Sequence, residues 1–185
     1  NTSQVAKLST AQIASLTTEQ ISLLETADFA AMTTLQIGAL TTQQIEAIQP
    51  DTFMALTTAQ AAALSTAQVR AITTADLAAM ETADLAALRT AQVAAMRDDQ
   101  IDALSAEQLA ALGTQQVRAL TAGQLARLDA EDMAALGSQQ IAALSTAQVA
   151  TLSELQVAAL DSADVAALST AQVAALSVDN VAALT

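Results

Sequence analysis

The sequence lacks several residue types that common catalytic and metal-binding sites use. None of its 185 residues is cysteine, histidine, tryptophan or tyrosine. Without cysteine the chain can form no disulfide, so its composition carries no information about a redox compartment. The missing histidine and cysteine remove the commonest general base, the thiol nucleophile and the preferred zinc ligands. There is no glycine-rich phosphate loop either, and we expect neither enzymatic activity nor a cofactor.

Positive charge is scarce as well. Six lysine and arginine residues stand against 19 aspartate and glutamate residues, for a formal charge of −13. An acidic chain repels nucleic acids and anionic lipid surfaces, so we expect neither as a partner. Although 53% of the residues are hydrophobic, many are alanine and no apolar run reaches five residues. We therefore expect a soluble chain without membrane insertion, and no signal peptide is visible.

The sequence does contain one eight-residue pattern, repeated from end to end. Its clearest copy, Ser-Thr-Ala-Gln-Val-Ala-Ala-Leu, runs from Ser169 to Leu176, and the pattern fits 23 times over residues 1–184. Position 1 is Ser, Thr, Asp, Asn or Gly in 18 repeats, and position 4 is Gln in 16 and Asp in five. This spacing is typical of a capping box, which predicts a new helix at position 2 of every repeat. The single proline, Pro50, falls at position 2, where a helix tolerates it.

The apolar residues fit the same register. Position 8 is always Leu, Ile or Met, and position 5 is aliphatic or Phe except at Ala61, so the two predict a hydrophobic staple in each repeat. One long helix is excluded because an eight-residue stripe would drift by about 80° per repeat around its surface. A strand would place positions 5 and 8 on opposite faces. Helices of about six residues are unstable alone, and only stacking of neighbours would stabilise them.

These patterns predict an all-α fold, a single-domain α-solenoid superhelix of about 23 very short helices, one per eight-residue repeat, over residues 1–185. Odd and even repeats do not differ, so we expect equivalent single helices rather than helix pairs. Positions 5 and 8 should point inward and positions 2, 3 and 6 largely outward. Alanine at position 7 in 18 repeats predicts a close contact between helices there.

Two sets of charged residues are candidates for a functional site. A partner-contact patch is one interpretation of the arginines between residues 65 and 128, and an outer face with weak ion pairs is the plainer one. These residues are Arg70, Arg89, Arg97, Arg118 and Arg127. Aspartates at position 4 could be imagined as metal ligands, but their spacing lacks a dense calcium loop and capping explains them, so we expect no metal site. These residues are Asp28, Asp76, Asp84, Asp132 and Asp164.

The octads Ser-Thr-Ala-Gln-Val-Ala-Ala-Leu and Thr-Thr-Gln-Gln-Ile-Glu-Ala-Ile resemble tandem repeats of very large bacterial secreted proteins, of the repeats-in-toxin or haem-utilisation and adhesion type. The resemblance covers all 23 repeats and carries over no functional residue. It implies an extracellular or cell-surface spacer or stalk in a longer, adhesin-like chain. Alternatives are a scaffold that binds a protein or peptide through a groove or charged stripe, and a designed or consensus repeat protein.

Overall fold

The computed structural model describes residues 2–184, and it confirms the all-helical prediction. These residues form 23 α-helices of four to six residues, with no strand among them. Every helix begins at position 2 of its repeat, including the one that starts at Pro50. The backbone therefore restarts its helix every eight residues, as the capping pattern predicts. No helix within residues 2–184 combines the length and apolar character needed to span a membrane.

The chain divides into two compact units, Asn1–Met96 and Arg97–Thr185. One continuous array over residues 1–185 stays a prediction. The helices of the first unit are α1 (Thr2–Val5), α2 (Thr10–Ala14), α3 (Thr18–Ser22), α4 (Thr26–Ala30), α5 (Thr34–Ala39), α6 (Thr42–Glu46), α7 (Pro50–Phe53), α8 (Thr58–Ala63), α9 (Thr66–Ala71), α10 (Thr74–Ala79), α11 (Thr82–Ala87) and α12 (Thr90–Ala95). Those of the second unit are α13 (Asp98–Asp102), α14 (Ala106–Ala110), α15 (Thr114–Ala119), α16 (Ala122–Leu125), α17 (Ala130–Ala135), α18 (Ser138–Ala143), α19 (Thr146–Val149), α20 (Glu154–Ala158), α21 (Ser162–Ala167), α22 (Thr170–Val173) and α23 (Val178–Ala183).

Most helices begin with the predicted capping box, whereas α4, α7 and α11 lack its hydrogen bonds. At α9 the Ser65 hydroxyl accepts the N–H of Gln68 at 3.2 Å, and the N–H of Ser65 donates to the Gln68 Oε1 at 2.7 Å. Repeats with arginine or glycine at position 1 keep only the second of these bonds, as when the N–H of Arg89 donates to Gln92 Oε1 at 2.6 Å. Side-chain oxygens thus replace the hydrogen-bond partners that the first turn of a helix lacks.

The core is formed by positions 5 and 8, as predicted. Every position 5 side chain from Ile13 to Val157 is at most 1% exposed. The two phenylalanines occupy this position three repeats apart, and the ring centroids of Phe29 and Phe53 lie 6.3 Å from each other. Position 3, in contrast, points to solvent, where Leu35 and Leu155 are about three quarters exposed.

Within each unit, a helix packs against the third helix before and after it. In the first unit α5 packs against α2 and α8, and in the second unit α18 packs against α15 and α21. Each repeat therefore stacks on a repeat about 24 residues away in sequence, as in a superhelix whose successive turns lie on one another. The solenoid prediction is confirmed for each unit.

Candidate functional site

The glutamine at position 4 makes a second set of hydrogen bonds, which reaches the preceding turn of the superhelix. Gln68, whose Oε1 completes the capping box, donates from Nε2 to the carbonyls of Ile37 and Leu40 at 2.8 and 2.7 Å. These carbonyls belong to positions 5 and 8 of the repeat four earlier. We call the pair of bonds from a position 4 side chain to these two carbonyls the inter-turn joint.

The inter-turn joint recurs in both units with the same sequence separations of 31 and 28 residues. In the first unit it is made by Gln36, Gln44, Gln60, Gln68 and Gln92. In the second unit it is made by Gln140, Gln148, Gln156 and Gln172. Helices contact the third neighbour while glutamines reach the fourth, so one turn of each superhelix takes between three and four repeats.

The joint supplies donors that short helices need. A helix leaves its last carbonyls without intrahelical donors, and a buried carbonyl without a donor is destabilising by about 1–3 kcal/mol. Gln68 is only 2% exposed, and its hydrogen bond to the Leu40 carbonyl is buried. Each joint therefore gives the position 8 carbonyl a donor and gives the position 5 carbonyl a second donor besides the N–H of position 8. It also connects one turn to the next.

Sequence reasoning identified position 4 as a capping residue and missed the joint. The sequence signal that could have revealed the joint is the absence of glutamate at position 4. A capping box accepts either glutamate or glutamine, yet none of the 23 repeats has glutamate at position 4. Only the amide carries both an acceptor for the cap and donors for the carbonyls.

Shorter side chains at position 4 make an incomplete joint. Thr52 donates from Oγ1 to the carbonyl of Leu24 at 3.1 Å, and Asn180 donates from Nδ2 to the carbonyl of Leu152 at 2.8 Å. Each makes the bond that spans 28 residues and not the one that spans 31. Glutamine is thus the one residue type in this chain that completes both bonds.

Ionised aspartate at position 4 has no proton with which to form the joint, and it keeps the cap in only some repeats. At Asp84 no capping hydrogen bond forms, so the capping interpretation is wrong there. Asp132 accepts the N–H of Asp129 at 3.1 Å, and Asp164 accepts the N–H of Asp161 at 3.2 Å, which confirms the capping interpretation at these two positions. Burial raises the pKa of Asp132, while the bond from Asp129 opposes that rise. Within residues 2–184 no group of three or more acidic, histidine or cysteine side chains lies close enough to hold a metal.

Asp76 and Asp84 occupy position 4 of adjacent repeats in the first unit, and both are buried. Asp76 is 0% exposed and Asp84 is 4% exposed. Burial raises the pKa of Asp84 to about 6, and the negative charge of Glu81 adds to the effect. Burial also raises the pKa of Asp76, although hydrogen bonds from Thr73 oppose the change.

Two of the five candidate arginines lie in the first unit, where they bond to backbone. Arg70 donates from Nη1 to the carbonyl of Ala95 at 3.2 Å, and Arg89 donates from Nη2 to the carbonyl of Leu64 at 3.0 Å. The Leu64 carbonyl also accepts Nε2 of Gln92 at 2.8 Å. Arg70 and Arg89 therefore reinforce contacts between repeats of the first unit.

The other three candidate arginines lie in the second unit. Arg97 pairs with Asp99 at 2.9 Å, and this hydrogen bond lowers the pKa of Asp99. Arg127 pairs with Asp102 three repeats earlier at 3.1 Å. Arg118 is exposed. A partner-contact patch formed by these arginines stays a prediction.

The second unit has two surface clefts at equivalent places between repeats. One, of about 540 Å³, is lined by Gly113, Gly137 and Gln140, where the two glycines lack the usual Ser or Thr side chain at position 1. The other, of about 560 Å³, is lined by residues that include Arg127 and Leu155. Both clefts run between the end of one repeat and the beginning of the repeat four later.

The short helices, the capping boxes and the recurring inter-turn joints define an all-α tandem-repeat protein. A family model described as the ALTTAQ repeat matches residues 21–58, 77–114, 125–162 and 157–185, which together make up more than half of the chain. The chain belongs to the ALTTAQ repeat family. The letters of that description correspond to positions 7 and 8 of one repeat and positions 1 to 4 of the next, and they end on the glutamine of the joint. A comparison with curated proteins found no match.

Proposed function

We propose that this chain is a non-catalytic structural repeat array that serves as a spacer or stalk in a larger, secreted bacterial protein of the adhesin type. The observation that carries the proposal is the constant separation of 31 and 28 residues in the inter-turn joint. Because 16 of the 23 repeats have the same glutamine donor at position 4, adding such repeats lengthens the array without requiring a new kind of contact.

The charged side chains support a structural role. Arg70 and Arg89 donate to backbone carbonyls of their own unit, and Arg97 and Arg127 pair with aspartates of theirs. Guanidinium groups that already donate to acceptors within the chain have fewer free donors with which to bind a partner. The plainer interpretation of these residues, a face with internal bonds, is the one we adopt.

The hydroxyl groups support a non-catalytic role for the same reason. The Thr41 Oγ1 accepts the N–H of Gln44 at 3.2 Å, and the Ser153 Oγ accepts the N–H of Gln156 at 3.2 Å. A hydroxyl becomes a nucleophile when an adjacent base takes its proton, whereas these serve as caps. Secretion and a protein or cell-surface partner follow from the resemblance of the octads to repeats of large secreted proteins.

A spacer should tolerate a change in length by whole repeats. Deleting residues 57–64 removes one octad, after which Gln68 would meet the carbonyls of Phe29 and Met32, which Gln60 now bonds. We expect this variant to keep its helical circular dichroism and cooperative unfolding. Deleting residues 57–60 instead shifts the register by half a repeat and should abolish cooperative unfolding of the first unit.

The function itself is tested by placing both deletions in the parent protein on the surface of its host. Adhesion should change gradually as whole octads are deleted or added, because only reach is altered. Abrupt loss of adhesion on deletion of any single octad, with folding intact, would contradict a spacer.

A peptide-binding or protein-binding scaffold is a second candidate, which the clefts of the second unit favour. Serine at Gly113 and Gly137 would fill one cleft while adding the cap hydroxyl that most repeats have. A spacer predicts unchanged adhesion for this double variant. Loss of adhesion with retained stability would instead support the scaffold.

A further inference from the structure

In two adjacent repeats of the first unit, the position 4 side chain is an aspartate, which cannot donate the bonds of an inter-turn joint when it is ionised. At the constant separations of 31 and 28 residues, the carbonyls that correspond to Asp76 are those of Ile45 and Ile48. Those that correspond to Asp84 are the carbonyls of Phe53 and Leu56. Within residues 2–184 no side chain donates a hydrogen bond to any of these four carbonyls. Their repeats are flanked by complete joints, made by Gln68 before them and Gln92 after them.

The missing hydrogen bond is clearest at Asp76. Its Oδ2 accepts the hydroxyl proton of Thr73 at 2.7 Å, while its Oδ1 is fully buried and has no hydrogen-bond partner. Oδ1 corresponds to the glutamine Nε2 of a complete joint. Asp76 therefore has a buried oxygen without a hydrogen-bond donor, and no side chain supplies a donor to the Ile48 carbonyl, which is a destabilising arrangement.

We propose that protonation of Asp76 and Asp84 strengthens the attachment between successive turns of the first unit. When a proton binds, each carboxyl group becomes a donor and can make one of the two bonds that glutamine makes elsewhere, as Thr52 and Asn180 do in their repeats. When both carboxyls are ionised, neither can donate these bonds, and both repeats lack the hydrogen bonds that a joint would add.

The helices of the first unit that pack against α10 and α11 carry no basic side chain. Helix α10 packs against α7, whose one charged residue is the exposed Asp51. Helix α11 packs against α8, which has no ionisable side chain. Glu46, which follows Ile45, and Glu81, at the N-cap of α11, are acidic and exposed. The acidic residues on these elements favour the protonated form.

The direction of the pH effect follows from the folded and unfolded pKa values. The pKa of Asp84 is about 6 in the folded chain, against an ordinary value of 3.8. Below the ordinary value the group is protonated in both states and carries no penalty. As the pH rises to about 6 the folded state loses stability, and above that the loss is complete. A shift of about two pKa units corresponds to about a 100-fold weaker folding equilibrium at neutral pH.

The test compares two charge-matched double variants of the full chain. Asp76→Gln with Asp84→Gln restores both donors, and Glu19→Gln with Glu25→Gln removes the same charge from exposed positions. Urea unfolding and amide hydrogen exchange are followed at about pH 7.5 and about pH 4.5. Glutamine occupies the same position in 16 other repeats, so the first variant is expected to fold.

Acid should increase the exchange protection of the first unit at least tenfold in the parent chain. The Asp76→Gln, Asp84→Gln variant should have this protection already at about pH 7.5 and change little with acid, whereas the exposed-charge variant should keep the parent's response. Equal behaviour of the two variants would show a general charge effect and overturn the proposal. If calcium or sodium chloride at neutral pH gave the protection that acid gives, a cation rather than a proton would close these joints, and the proposal would likewise be wrong.

Discussion

Replacing Gln68 by glutamate separates the two roles of position 4. Glutamate has the same length and keeps an oxygen to accept the N–H of Ser65, which now lies 2.7 Å from Oε1. It cannot donate, when ionised, to the carbonyls of Ile37 and Leu40. The substitution therefore leaves the cap in place and removes one inter-turn joint.

The size of the effect follows from the two lost bonds. Each net hydrogen bond contributes about 1 kcal/mol, and a buried carbonyl left unpaired adds to the loss. Because Gln68 is 2% exposed, the new carboxylate would also be partly desolvated. We expect Gln68→Glu to lower the free energy of unfolding by roughly 2–4 kcal/mol at neutral pH, measured by urea denaturation. Part of the loss should be recovered near pH 4.5, where a protonated glutamate can donate one bond.

Gln12 provides the matched control. Its Oε1 accepts the N–H of Ser9 at 2.8 Å, as in the box of Gln68, but its side chain is exposed. Gln12→Glu should change the free energy of unfolding by less than about 0.5 kcal/mol. If Gln12→Glu and Gln68→Glu were equally destabilising, the effect would belong to the capping box, and our account of the joint would be wrong.

Three further predictions concern the core, the caps and the arginines. Leu77→Ala, at a fully buried position, should lower the free energy of unfolding by about 2–5 kcal/mol, whereas Leu35→Ala, three quarters exposed, should change it by less than about 0.5 kcal/mol in the same urea titration. Thr41→Ala removes a cap and should lower the free energy of unfolding by about 1 kcal/mol, seen as a lower melting temperature. Thr42→Ala, at the exposed neighbouring position, should leave the melting temperature unchanged. Equal effects of the two substitutions would show that the Thr41 hydroxyl does not act as a cap. Arg89→Ala loses a bond to the Leu64 carbonyl, which keeps its glutamine donor, and a bond at 3.3 Å to Gln92 Oε1, which keeps the N–H of residue 89, so calorimetry should show a loss of about 1 kcal/mol or less.

The local structure was predictable because its causes lie within eight residues. Pro50 at position 2 and the Ser–Gln spacing around Ser65 and Gln68 define where each helix begins, and the staple residues define which face is buried. The sequence predicted these features, and the structure confirms them.

The joint was not predictable because the capping box already explains glutamine locally. Nothing within an octad reveals that the Nε2 of Gln68 will meet carbonyls 31 and 28 residues earlier. That distance depends on how many repeats complete a turn, which is determined by packing between helices rather than by any one repeat. The burial of Asp76 follows from the same register, so its missing donor also became visible only in the structure.

The most direct test of the central claim is nuclear magnetic resonance of the glutamine side-chain amides. If position 4 amides join successive turns, the Nε2 protons of Gln68 should exchange slowly and show nuclear Overhauser effects to Ile37 and Leu40. The exposed amide of Gln12 should exchange as fast as that of a free glutamine. Fast exchange at Gln68, with no contact to residues 28 or 31 positions earlier, would contradict the account even if all the helices were present.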